Sequence, residues 1–386
     1  MRSNLLSLLL VMTFAGETYA CHLWHPTTQP PVGSVSLVGQ VSDPTGKPVS
    51  GVRVEARGVV SVATDVRGEF RLVKVAAVPR LAVSFSAPGF VRTTRVFQTV
   101  AAGQVMNVNV IVIWPRATAM TVDAVAGGRV PFANGGSVTL PPNALVDNQG
   151  RPLTGSAQVS VTYLDVSDRA QRNAVPGDFT AKLRNGSEQR LESFGVFEIF
   201  VADGSGQRAE LARGKTADVQ IPIPRAFGDR APERTRSFSF DPYYGYWHEE
   251  GMLVRNELIY SGKINQFDWS WNADDPLENT CMTFQVMSPN STMPSTIPEP
   301  NCLVEATGVN YGSVSTGYTD NQGLVCLLVK RNEPVSVKAI STNSVNYQSI
   351  PVILQSPNFS ASASDCGDQE KCPRTTIFLD IITHNP

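Results

Sequence analysis

From about residue 34 onward, apolar and polar residues alternate with a period of two almost everywhere. Val52, Val54 and Ala56 are interleaved with Arg53 and Glu55, and Leu81, Val83 and Phe85 repeat the spacing. Val108-Asn109-Val110 alternates too. That period sends successive side chains to opposite faces, one toward a core and one toward water, as on a half-buried strand. Between these runs lie Asp43-Pro44-Thr45-Gly46 and Asp65-Val66-Arg67-Gly68. Both have turn chemistry, because Asp bonds nearby backbone N–H groups and Gly accepts a positive φ. No convincing amphipathic helix of more than about three turns stands out. The pattern predicts an all-β chain of many short strands. At 386 residues it exceeds one ordinary core, so two to three domains are expected. The 30 Gly and 27 Pro are spread along the chain, which fits frequent turns rather than one long linker.

The pattern also repeats. Val54-Glu55-Ala56-Arg57-Gly58 is echoed by Val304-Glu305-Ala306-Thr307-Gly308. Thr64-Asp65-Val66-Arg67-Gly68-Glu69-Phe70 is echoed by Thr319-Asp320-Asn321-Gln322-Gly323-Leu324-Val325. The second copy carries a longer insert, 309–318, between the two motifs. A strand–turn–strand unit that recurs after an unlike segment implies two related modules flanking a third.

The stretches 41–56, 64–72 and 86–90 (VSDPTGKPVSGVRVEA, TDVRGEFRL and SAPGF) resemble the carboxypeptidase regulatory-like domain. That resemblance implies a small transthyretin-like β-sandwich, an accessory rather than a catalytic unit. The copy at 281–384 is a weaker match that keeps the T-D-x-x-G turn. In the middle segment the order of motifs runs Ala126-Gly127-Gly128-Arg129-Val130, then Gly135 to Leu145 (GGSVTLPPNAL), then a strand over 157–164. Pro176-Gly177-Asp178-Phe179, Leu191-Glu192-Ser193-Phe194-Gly195, Gly214-Lys215-Thr216-Ala217 and Trp247-His248-Glu249-Glu250-Gly251 come after it. This order is similar to the ectodomains of the astroprincin family and to part of cartilage intermediate layer protein. Its Gly-Gly start is also similar to the β-domain shared by ankyrins and netrin receptors. Astroprincin-type proteins carry a membrane span that is missing from this sequence, so anchoring and an intracellular role do not carry over. The expected layout is a signal peptide at 1–20, a Pro-rich lead-in at 21–33 and a regulatory-like sandwich at 34–115. A middle β-region at 116–275 and a second, disulfide-stapled sandwich at 276–386 complete it.

The N-terminus supports export. Arg2 precedes an apolar run over 5–14, and Thr18-Tyr19-Ala20 offers small residues at the two outer positions of a cleavage site. A lipid anchor on Cys21 is the alternative, though the Leu expected three residues earlier is missing. No later segment reaches the ~18 apolar residues needed to span a bilayer. Five of the six cysteines, Cys281, Cys302, Cys326, Cys366 and Cys372, lie in the last third of the chain. In an exported protein they are candidates for disulfides. Cys366 and Cys372 are near enough in sequence to close one small loop. Cys281, Cys302 and Cys326 form an odd set, of which one is free or pairs with Cys21. About fifteen pairings of six cysteines remain formally open.

Catalytic signatures are scarce. The four histidines (His22, His25, His248 and His384) have no Glu at zinc-carboxypeptidase spacing. There is no G-x-S-x-G elbow and no phosphate-binding glycine loop. Without a C-x-x-C pair a structural zinc site is not expected, and Cys21-His22-Leu23-Trp24-His25 reads as a loose terminus rather than a metal site. Asp274-Asp275, beside a domain boundary, and Glu249-Glu250, read as lying in a turn, are the remaining paired carboxylates. The expectation is no enzyme activity, no cofactor and no metal. A net charge of -2 and the lack of a basic run argue against nucleic-acid binding.

Two aromatic clusters bear on partners. Trp247 sits in Tyr243-Tyr244-Gly245-Tyr246-Trp247, and Trp269 and Trp271 share one face with Phe267 if that segment is a strand. They are either core residues or aromatics exposed to a ligand. Sequons begin at Asn185, Asn290 and Asn358. The sequence therefore reads as a secreted or cell-surface, non-catalytic binding or structural protein whose partner is an extracellular protein or glycan. A carbohydrate-binding module and an accessory subunit of an extracellular hydrolase are the alternatives.

Overall fold

The computed structural model describes residues 33–381, apart from 57–59, 98–101, 104, 268–270, 290–295 and 342–346. The expected signal peptide, the lead-in up to residue 32, Cys21, His22, His25, Trp269, Asn290 and His384 lie outside the described residues. The chain is nearly all β, as the period-two pattern predicts. Among the described residues the single α-helix is one short segment, Arg169–Ala174.

The first seven strands are β1 (Ser34–Ser42), β2 (Arg53–Ala56), β3 (Val60–Ala63), β4 (Glu69–Ala76), β5 (Leu81–Ser86), β6 (Thr93–Phe97) and β7 (Val105–Val112). They form two sheets, β4-β1-β7 and β3-β2-β5-β6, in which β7 runs parallel to β1 and the other pairs are antiparallel. Leu37, Val41, Val52, Val54, Leu72, Val83 and Phe85 fill the space between them, as their alternation requires. One expectation fails locally. Asn109 adopts a left-handed backbone (φ 57°) where the β1–β7 register shifts, so a bulge breaks the alternation. Val108 and Ile111 are buried while Val110 is exposed.

The C-terminal strands repeat this connectivity. Asn279–Pro289 pairs antiparallel with Leu324–Lys330 and parallel with Arg374–Phe378, the pattern of β1 with β4 and β7. Opposite them run Val314–Tyr318, Leu303–Gly308, Pro334–Ile340 and Val352–Gln355, in the order of β3, β2, β5 and β6. The likeness extends to single hydrogen bonds. Thr64 Oγ1 accepts from the Val52 N–H at 2.9 Å and donates to the Val49 carbonyl at 2.7 Å. Thr319 Oγ1 accepts from the Cys302 N–H at 2.8 Å and donates to the Glu299 carbonyl at 2.6 Å. Asp65 Oδ1 accepts from the N–H groups of Arg67 and Glu69, and Asp320 Oδ1 from those of Gln322 and Leu324. The repeated T-D-x-x-G motif is one self-bonded turn used twice.

Its glycines are obligatory. Gly68 and Gly323 have φ of 72° and 70°, and a Cβ would lie 2.4 Å from the Val41 carbonyl oxygen and 2.6 Å from that of Val286. Gly323→Ala should therefore cost about 2–3 kcal/mol, combining left-handed strain with a backbone clash. Gly46→Ala, where φ is 85° but the space is open, should cost only about 1 kcal/mol. Urea melts of the two variants check this, and equal losses would refute the steric account.

The middle region is one large curled sheet. Its strands include Ser156–Leu164 and the 16-residue Glu188–Asp203. The end strands, Met120–Asp123 and Gly128–Pro131, are joined by a tight turn closed by the Gly127 N–H and the Asp123 carbonyl at 2.9 Å. Gly127 (φ 73°) is needed there, because a Cβ on it would lie 2.3 Å from the Leu140 carbonyl oxygen. Glu249 and Glu250 belong to the strand Tyr246–Asn256 and not to a turn, because that segment pairs with Arg234–Asp241.

The middle core contains Trp247 and Trp271, at 0% and 1% exposure, with Phe267, Phe240 and Phe238. Trp247 packs on Phe240 at 5.0 Å, and the Trp271 indole N–H donates to the Gln266 carbonyl at 3.2 Å. Both tryptophans are thus corrected from ligand-contact candidates to core, and their large apolar area accounts for the burial. The aromatics of this cluster that do reach the surface are Tyr243 and Tyr244, an edge-to-face pair at 4.8 Å.

Among the described residues the cysteines pair as Cys281–Cys372 and Cys326–Cys366, and Cys302 is a buried free thiol. The small loop between Cys366 and Cys372 does not form. Cys281 and Cys326 lie on neighbouring strands, two rungs apart in register, so each captures one cysteine of the segment that crosses them. The sulfurs of Cys281, Cys326 and Cys372 lie within 4.8 Å of one another because the two bridges are adjacent. Cys302 takes the core place that Val52 holds in the first sandwich. Burial, reinforced by Glu299, pushes its thiol up to about 12, so it stays protonated and behaves as a small apolar residue.

Candidate functional site

The most chemically developed region is where the three cores meet. The first contribution comes from Arg80, just before β5. Its guanidinium grips Asp178 with two bonds of 2.7 and 2.8 Å and donates to the Gly245 carbonyl at 2.6 Å. It also lies 4.1 Å from the centre of the Tyr246 ring, whose hydroxyl donates to Glu188 at 2.8 Å. Asp178 is presented by the Pro176-Gly177-Asp178-Phe179 bend. Gly177 (φ 78°) lets the chain pass Phe240, where a Cβ would approach within 2.6 Å, and its N–H donates to the Thr94 carbonyl. Arg190 stands 3.9 Å from Asp178 on the other side. Burial alone would raise the Asp178 pKa, but Arg80, then Arg190 and Thr180, hold it down to about 2.

Beside this pair, the first sandwich caps the short helix. Thr93 Oγ1 donates to the Ala174 carbonyl at 2.9 Å, and Arg95 donates to the carbonyls of Val175, at 2.9 Å, and Asn173. A cation is favoured at a helix C-terminus, where the last carbonyls lack intrahelical partners. On the opposite seam Arg116 bonds Glu198 at 3.2 Å and stacks 4.0 Å from the Phe200 ring.

The third contribution is the insert 309–318. Tyr311 is buried, and its carbonyl accepts from Arg172 at 2.9 Å. The Gly312 carbonyl accepts from the Ser193 N–H at 2.8 Å, in a contact so close that a Cβ on Gly312 would sit 2.3 Å from the Ser193 oxygen. Arg190 donates to the Val314 carbonyl. Around these contacts Glu192, almost fully buried, receives Lys330 and lies 3.6 Å from Arg230, which pairs with Glu333 at 2.7 Å. The insert that distinguishes the second repeat is thus the strap that fastens it to the middle region.

The remaining sequence candidates do not assemble. His248 is half-exposed, 3.7 Å from Asp241, and Asp274 is fully buried in the sheet. Glu249 lies 3.4 Å from Arg236, while Glu250 accepts from Ser239 at 2.6 Å. Among the described residues no helix is long and apolar enough to cross a membrane. Sequence reasoning did not find the junction. Its one visible signal was polarity out of place, as in Glu192 and Ser193 within the apolar run Leu191 to Phe194.

Residues 36–112 match the carboxypeptidase regulatory-like domain. Over 222 residues the chain is 29% identical to cartilage intermediate layer protein 2 of Mus musculus, spanning 55% of this chain and 19% of that protein. The human protein of the same name is 26% identical over 123 residues, 31% of this chain and 10% of its own length. The chain therefore spans a fifth or less of these relatives. Among solved structures, the major pilin subunit of Bacillus cereus aligns with 90% of this chain and 99% of its own, at 12% identity and a TM-score of 0.17. A type II cohesin–X-dockerin complex from Acetivibrio cellulolyticus aligns with 21% of this chain and 58% of its own, at 22% identity and a TM-score of 0.17. Similarity this low carries no weight for function.

Proposed function

We propose that this protein is an extracellular, non-catalytic structural protein in which three β-modules act as one rigid unit that presents its outer loops to a protein or glycan partner. The observation that carries the reading is the junction, where buried ion pairs and backbone bonds tie each core to the next. Modules held only by linkers move independently, whereas buried charge pairs of this kind hold only if the surfaces stay docked. Two further observations support it. Disulfides persist in oxidising compartments, and the curated relatives carry a cartilage layer in their name. On this reading the C-terminal sandwich is a second copy of the regulatory-like domain, 116–275 is the middle module, and residues 1–20 are removed on export.

The test is the intact mass of the full-length protein recovered from its own host, with cell and extracellular fractions compared. The expected product is extracellular, begins at Cys21 and gains the mass of four hydrogens on reduction, two for each bridge. Recovery of a fully reduced protein inside the cell would overturn the proposal. Turnover by the purified chain would overturn its non-catalytic part.

A further inference from the structure

The junction holds a partly open cavity of about 170 Å³ to which all three modules contribute. Most of its wall is apolar, including Phe97 and Ile111 from the first sandwich, Val175 from the middle region, and Leu303 and Ile340 from the last. An engineered cavity of ~150 Å³ with an apolar wall is large enough to take up benzene. This one differs in carrying charge.

Four arginines surround it or its rim, and two of them are committed. Arg80 and Arg190 both face Asp178, which also lines the cavity. Arg95 and Arg172 line it as well, and no carboxylate lies within ion-pairing distance of either among the described residues. Glu305 is the other acid in the wall, and its charge acts on Arg95. The four guanidiniums stand against only two carboxylates, Asp178 and Glu305, so positive charge is in excess around a partly apolar cavity. Burial pushes Arg95 and Arg172 down to about 10, the direction expected where a cation lacks a full counter-charge.

The wall also holds hydrogen-bonding groups with nothing to bond. Arg172 is 4% exposed and its Nε has no partner. Asn109 Nδ2 and the Tyr318 hydroxyl are likewise buried without one. Each unpaired buried polar group costs about 1–3 kcal/mol, so such a set is rarely left unused. Asn109 owes its place to the bulge in β7, and Tyr318 to the strand that ends the strap; Tyr318 also packs against the first core. Unused donors from three modules and an excess of positive charge thus meet over an apolar wall.

We propose that this cavity binds a small organic anion, a carboxylate carried on a compact apolar body of about one ring. The carboxylate oxygens accept from Arg172, Asn109 and Tyr318, and the body lies against Phe97, Ile111, Leu303 and Ile340. Because the ligand touches all three modules, it binds only the docked state and stabilises the junction by mass action.

Benzoate is the probe, titrated into the full oxidised chain at neutral pH by calorimetry, with a thermal melt in parallel. Saturable binding with a rise in melting temperature is expected, and benzamide and benzene should bind at least tenfold more weakly. Tyr318→Phe keeps the ring and its packing, removes the hydroxyl, and should weaken benzoate about tenfold without lowering the stability of the free protein. Arg172→Met should abolish binding. If that variant does not fold, the Tyr318→Phe comparison still decides. Absence of saturable binding, equal affinity for benzene, or benzoate affinity unchanged in Tyr318→Phe would each overturn the proposal. Binding of sulfate alone, with none of benzoate, would overturn the organic ligand and mark the cavity as an inorganic anion site.

Discussion

Removing the bridge between Cys281 and Cys372, by changing both to Ala, should destabilise the C-terminal sandwich by about 4–5 kcal/mol. The bridge spans 91 residues. Closing a loop of that length removes about 4–5 kcal/mol of chain entropy from the unfolded state, on the usual loop-closure account. The second bridge spans 40 residues and should contribute about 4 kcal/mol by the same reasoning, less where the two loops overlap. The bridges tie the segment 363–372, which leads into the strand Arg374–Phe378, to the two strands beside it. Without them that strand is held by its parallel pairing with Asn279–Pro289 and by Ile377 in the core. Urea melts with and without reductant measure the effect. The first sandwich contains no cysteine, so the loss originates in the C-terminal sandwich. A melt that reduction leaves unchanged would refute the pairing.

The second large effect centres on Asp178. Asp178→Asn leaves Arg80 and Arg190 facing each other in a buried site with no charge between them, and breaking a buried pair this way costs about 3–5 kcal/mol. Because Arg80 and Asp178 belong to different modules, the loss should appear as uncoupling, with one cooperative transition splitting into two in calorimetry. The double variant Arg80→Met, Asp178→Leu should recover part of the loss, since it removes the desolvation costs of Arg80 and Asp178 and leaves only Arg190 without its carboxylate. A single unsplit transition in Asp178→Asn would contradict the rigid-unit reading. The same group predicts the acid response. Its folded pKa is lowered to about 2 from the ordinary 3.8. A depressed folded pKa contributes stability that is complete above 3.8 and is lost as pH falls through about 2. Roughly 2 kcal/mol should therefore disappear across that window, and the loss should be absent from Asp178→Asn.

The sequence and the structure agree where the physics is local. The period-two runs around Val54 and Val83 became strands with the expected faces inward, because alternation comes from backbone geometry alone. The turn at Asp65 to Gly68 and its echo at Asp320 to Gly323 form the same hydrogen bonds, since every atom they need lies within five residues. Agreement ends where one residue's backbone conformation switches the faces of its neighbours. A left-handed Asn109 was enough to put Val110 in water and Val108 in the core. The aromatic clusters show a related limit. Alternation says which side chains share a face but not whether the face is covered, and a second layer covers Trp247 and Trp271.

What the sequence determined by itself is therefore the all-β class, the recurrence of one strand–turn–strand unit, the T-D-x-x-G turn and the concentration of cysteines in the last third. Each is a property of short spacing and residue type. The tertiary structure decided which cysteines join, because pairing depends on which strands become neighbours across 91 and 40 residues. It also decided the junction, whose partners Arg80 and Asp178 are 98 residues apart. Nothing in the local pattern of either residue identifies the other, since a buried charge takes its partner from whatever the packed cores bring beside it.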